Sequence, residues 1–158
     1  MAKNLTAWLL LPLVLLITAA CDSGGRAAAP KARLAEGQVW SYKTRPGEEG
    51  SRIHIVRVDN FPDTPSIYHL HVDGLALRNL KTPTGTQDHL HLPVAEKALR
   101  LSVVELVEAN EATVPDISKG YGIWREAYDK DEAGYFSISL PEIIDYIEST
   151  VSGSSEDE

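Results

Sequence analysis

Five histidines, His54, His69, His71, His89 and His91, carry the most chemical potential in this chain of 158 residues. Four of them form two His-x-His pairs. In a strand, residues two apart point to the same face, so His69 and His71 would present two imidazoles side by side. A second pair brought close, His89 with His91, could complete tetrahedral coordination of zinc. Asp73 and Asp88 lie nearby in sequence as carboxylate ligands or as partners that orient a ring. The spacing matches no named zinc motif. The plainer alternative has His69 and His71 pointing to water from a half-exposed strand, with His89 and His91 bonding free backbone groups before a helix.

Other catalytic templates fail. The chain has no G-x-S-x-G elbow, no P-loop and no H-E-x-x-H. Nothing selects a catalytic residue, so none is expected. Arg45, Glu48, Glu49 and Arg52 surround a Pro-Gly turn, as a solvated hairpin tip or as a polar recognition loop for a protein. Trp40, Tyr42, Trp124 and Tyr128 could anchor a partner, although both tryptophans are more simply core residues.

The elements that must position these groups follow from periodicity. Residues 38–44, 51–59 and 66–72 alternate and are rich in β-branched and aromatic side chains, which predicts strands. Asp73-Gly74 supplies a tight turn, after which residues 75–80 are expected to return as a fourth strand. Residues 81–88 read as a loop, and Pro93 suits the first turn of a helix. Residues 94–109 contain no Gly or Pro and carry Ala95, Leu99, Val103, Leu106 and Val107 at helical spacing, which predicts a long covering helix. A second helix is expected over 121–132, and a short strand over 135–139. Ser139 and Glu142 have capping-box spacing and open a third helix, with Ile143, Ile144, Ile147 and Val151 as its buried stripe. The expected class is α+β: an antiparallel β-meander of four to five strands covered by two to three helices.

The first 21 residues specify an address. Lys3 precedes the apolar run 7–17, and Thr18-Ala19-Ala20 leads small residues up to Cys21. These are the parts of a secretory signal peptide. The ending Ile17-Thr18-Ala19-Ala20-Cys21 resembles a bacterial lipoprotein signal, although Thr18 stands where that family usually has an aliphatic residue. The resemblance implies removal of residues 1–20 and acylation of Cys21, palmitate included, which would anchor the chain stably. The lipoprotein-like signal would leave the domain facing the periplasm of a bacterial envelope; Asp22 resembles an inner-membrane retention signal, with the choice of membrane undecided. Cys21 is the only cysteine. Lipidation would consume it, leaving neither a disulfide nor a thiol nucleophile.

Residues 22–33 have no aromatic or β-branched side chain and read, with Cys21, as a flexible tether reaching about 20 Å. Residues 34–151 form one expected domain, and 152–158 a disordered acidic tail. The net charge is −8, and −9 once residues 1–20 and Lys3 are gone, which disfavours tracking nucleic acid phosphates.

The stretch WSYKTRPGEEGS (residues 40–51), with His91-Leu92-Pro93 and Gly120-Tyr121-x-x-Trp124, is similar to a group of small uncharacterised bacterial proteins. That likeness would span residues 36–150. It implies one module and carries no assigned activity. The expected function is therefore a lipid-anchored envelope domain that binds a protein without catalysis, as an accessory or immunity-type factor. The alternative is zinc binding through His69, His71, His89 and His91, extending to a metal-dependent hydrolase.

Overall fold

The computed structural model describes residues 32–153; the expected signal segment 1–20, Cys21, the expected tether up to residue 31 and residues 154–158 lie outside them. The strands are β1 (Val39–Tyr42), β2 (Arg52–Asp59), β3 (Ile67–Asp73), β4 (Leu77–Arg78), β5 (Thr86–Gln87), β6 (Leu90–Ala95) and β7 (Val103–Glu108). The helices are α1 (Glu96–Ser102), α2 (Ser118–Tyr128) and α3 (Leu140–Val151). Five strands pair antiparallel in the order β6-β3-β2-β1-β7, and β4 pairs with β5 apart from them. The α+β class and the meander-like sheet are as expected.

One face of the sheet carries the apolar core. Tyr68, Leu70 and Val72 of β3 stand opposite Val94, Leu92 and Leu90 of β6, while Ile53 and Ile55 continue the layer on β2. Leu99 of α1 and Leu140, Ile143 and Ile144 of α3 close it, and all four are fully buried. The capping box at Ser139 and Glu142 starts α3 as its sequence predicts. Ser102 joins the two helices: its hydroxyl donates to the Ala98 carbonyl at 2.8 Å and accepts the Leu140 N–H at 2.8 Å. A buried hydroxyl between helix ends is thus satisfied on both sides.

The expected helix over 94–109 is replaced by the end of β6, the two-turn α1 and all of β7. Its apolar stripe fits a period of 3.6, yet Val94, Val103, Val104 and Val107 are β-branched residues that suit strands. Pro93 sits within β6, opposite His69. It is tolerated because β6 is an edge strand, so its missing N–H breaks no ladder between two neighbours. Gly74 does turn at φ +64°, but the chain then leaves the sheet, and Leu77–Arg78 pairs with β5. The expected strand over 135–139 reduces to a single parallel bridge between Phe136 and Val94.

Two irregularities position everything that follows. In β2 the partners jump from Ile55 opposite Leu70 to Arg57 opposite His69, leaving Val56 as the extra residue of a bulge. Strict alternation would put Val56 on the same face as His54 and turn Arg57 and Asp59 toward the core. The bulge reverses this, so His54, Arg57 and Asp59 share the face opposite the core, while Val58 packs inward. In β7 two further shifts leave Val104 and Val107 without partners on β1.

Candidate functional site

The non-core face of the sheet carries a histidine ladder. His54 on β2 lies opposite His71 on β3, which in turn lies opposite His91 on β6. His69 stands two residues before His71, and His89 immediately precedes β6. The rings pack diagonally: His69 stacks on His91 with centroids 5.3 Å apart, His71 stacks on His89 at 5.4 Å, and His54 meets His71 edge-on at 5.6 Å. The ring contacts make two groups, His69 with His91 and His71 with His54 and His89, brought side by side where His71 and His91 are cross-strand partners.

His69 is the buried member of the first group, with no exposed surface. From α2, the Trp124 and Tyr121 rings lie edge-on against it at 4.5 and 4.9 Å. Its Nδ1 is 3.1 Å from His91 Nε2. Its Nε2 is 3.4 Å from Asp59 Oδ2, close enough for an ion pair but without hydrogen-bond geometry. Asp59 is held by the Tyr121 hydroxyl, which donates to Oδ2 at 2.8 Å, and by Arg57 Nε, which donates to Oδ1 at 2.6 Å. Burial works against the Asp59 charge, yet the Tyr121 and Arg57 bonds outweigh it and hold the carboxyl below its usual range.

These contacts choose the tautomers. A carboxylate beside His69 Nε2 favours the proton there, which leaves Nδ1 to accept from His91 Nε2–H. The second nitrogen of His91 then keeps its lone pair. That nitrogen faces α2, where a Cβ on Gly120 would come within 3.0 Å of it. Glycine at position 120 thus lets the helix approach the ring. Burial, then the neighbouring His91, push His69 down to about 4. Burial and the adjacent imidazoles lower His71, and burial with His71 lowers His91. Each shift disfavours the charged form of its ring, which permits their close packing.

His71, His89 and His91 line a cleft of about 340 Å³ with Asp116, Lys119 and Gly120 at the start of α2. A larger cleft, about 610 Å³, lies elsewhere, bordered by Arg33, Glu36, Ser66 and Glu96. His54 stands at the other end of the ladder, its Nδ1 2.9 Å from Glu111 Oε1 and its Nε2 3.0 Å from Asp73 Oδ2.

His69, His71, His89 and His91 are brought onto one face, but they do not converge on one point. They divide into two stacked pairs, and the closest two nitrogens are spent on each other. Among the described residues no group of three or more His, Cys, Asp or Glu side chains could hold a metal ion. Asp88 bonds His89 at 2.7 Å, and Asp73 bonds His54 rather than a neighbour on its own strand. The sequence alone does not single out Asp59, Glu111 or Tyr121, and it names His54 without placing it in the candidate metal set. The alternation of Ile53, His54 and Ile55 was a usable signal for His54, whereas the bulge that delivers Asp59 had none.

The candidate recognition loop is largely committed internally. Arg45 donates to Glu48 (2.9 and 2.5 Å), to Asp145 (3.1 Å) and to Glu148 (2.5 Å). Glu48 is buried and also accepts the Ala76 N–H at 2.8 Å. Glu49 accepts the Gly47 N–H, and Arg52 donates to the Glu49 and Ser51 carbonyls. The turn is tied to α3 and to the chain after β3. Cys21 lies outside the described residues.

In comparison with known proteins, no family model, no curated protein and no solved structure matches the chain. Among the described residues no helix is long and apolar enough to cross a membrane.

Proposed function

We propose that this is a lipid-anchored domain of the bacterial envelope that works by binding another protein, without catalysing a reaction. The observation that carries the binding reading is apolar surface that is exposed, among the described residues, on an edge strand. Leu101, Val104 and Val107 follow one another through the end of α1 and along β7, and all face solvent. Apolar side chains grouped at an open sheet edge favour association, whereas single exposed ones do not. The address rests on the lipoprotein-like ending at Cys21.

Acyl labelling with membrane fractionation tests the anchor. The wild-type chain should take up fatty acid and sediment with membranes, and Cys21→Ser should remain as unlabelled precursor or soluble protein. An unlabelled wild-type chain that still sediments would refute it. Amine-reactive crosslinking of the intact lipoprotein in cells tests binding. A discrete heavier species is expected, and a wholly uncrosslinked population would refute the reading.

A second reading, zinc binding, is supported by one observation: the cleft lined by His71, His89 and His91. Zinc could be captured there if His89, which is exposed, swung toward His71 and His91. Zinc near one equivalent in the purified domain would support it. Less than about a tenth of an equivalent, with no thermal shift on adding zinc, would eliminate it.

A further inference from the structure

We infer that the outer rim of β7 recognises a polypeptide segment whose apolar side chains are flanked by lysine or arginine. This rests on the protein-binding reading above and adds the chemistry of the partner. Three features of β7 support it. Among the described residues it pairs only with β1, and its other side is an edge of the sheet. The register along β1 runs Val39 to Glu108, Trp40 to Leu106, Ser41 to Glu105 and Tyr42 to Val103, which skips Val107 and Val104. These two skipped valines are 55% and 51% exposed. Each bulge therefore re-aims an apolar side chain outward instead of into the core.

The bulges also decide the mode of binding. A partner that added a strand would need an unbroken alternation of N–H and C=O groups along that edge, and bulges interrupt it. Side chains are the remaining means of recognition. Glu105 and Glu108, both exposed, stand on the sheet face shared with Ser41 and Val39 and flank the valines in sequence. At the Leu101 end, Lys43 Nζ donates to the Leu101 carbonyl at 3.3 Å, so that cation is occupied by this chain. The rim is thus apolar with an acidic margin. A second copy of this chain would bring Glu105 and Glu108 against their own equivalents, and like charges facing each other are unfavourable. A cationic, apolar segment of another protein is complementary on both counts.

The test places a photo-crosslinking amino acid at position 104 or 107 of the full-length lipoprotein in intact cells, with positions 123 and 146 as controls. Ile123 and Tyr146 are 66% and 60% exposed and lie on α2 and α3. Adducts of one discrete mass are expected from 104 and 107 and not from the controls. Glu105→Lys combined with Glu108→Lys should cut their yield about tenfold, as expected for a cationic partner. Glu126→Lys on α2 should leave the yield unchanged, and coincident melting curves would establish that the variants remain folded. Adducts indifferent to the double reversal would overturn the cationic partner. A mass of twice the chain would overturn it in favour of a second copy. Adducts only from 123 or 146 would remove this surface and leave the binding reading standing; adducts from no position would remove both.

Discussion

Removing the Arg45 guanidinium should expose how the 45–52 turn is held. Arg45 bridges three carboxylates, of very different burial: the side chains of Glu48, Glu148 and Asp145 are 2%, 27% and 66% exposed. The Asp145 pair is largely solvated and contributes well under about 1 kcal/mol. Glu48 dominates, because a buried carboxylate deprived of its cation typically costs about 3–5 kcal/mol. The Ala76 N–H remains on Glu48 and offsets part of that loss. Arg45→Met should therefore destabilise the domain by about 3 kcal/mol and lower the urea midpoint by roughly 2 M at unchanged slope. Adding Glu48→Met removes the stranded charge, so the double variant should return to within about 1 kcal/mol of wild type. Acid supplies an independent arm. Burial opposes the charge on Glu48, but the Arg45 and Ala76 bonds prevail and hold its carboxyl below the usual value. Its contribution is present above the unfolded-chain value and is lost as pH falls through the lower folded one. Arg45→Met should weaken that acid dependence. A loss below about 1 kcal/mol for the single variant, or no recovery in the double, would refute the buried tie and return these residues to solvent.

The histidine face gives two further expectations. Because His69 titrates near 4 in the fold, below the unfolded-chain value of about 6.5, stability should be full above that value and fall as pH drops toward 4, by about 3 kcal/mol from this residue alone. Urea titrations at pH 7 and pH 4 should show the slope, and His69→Gln should reduce it; equal pH dependence in both proteins would contradict the assignment. Two glycines of α2 form an internal comparison, since Gly→Ala inside a helix ordinarily gains up to about 1 kcal/mol. Gly122→Ala meets nothing within 4 Å and should raise the melting temperature, whereas Gly120→Ala meets His91 at 3.0–3.2 Å and should gain nothing or lose stability. Equal gains at both positions would mean that α2 does not press on His91.

Much of the molecule was legible along the chain because local rules and tertiary packing agree there. Alternation marks β2 and β3, Gly74 turns as its neighbours suggest, and the S-x-x-E spacing at Ser139 marks the start of α3. The prediction over 94–109 failed because an apolar run satisfies helical and strand periods together. Only its partners, β3 on one side and β1 on the other, separate β6 from β7. The His-x-His spacing correctly placed His69 and His71 on one face, since period two is a property of any strand.

What the sequence determined by itself is the apolar run 7–17 and the single cysteine after it, the acidic charge, the α+β class and the pairing of histidines by spacing. Tertiary structure decided which groups meet. A single extra residue, Val56, turns Asp59 toward His69, and two more, Val104 and Val107, turn apolar side chains to solvent. Bulges arise from the pairing of two strands, with no compositional mark in either one, so their consequences exist only once the partners are in register.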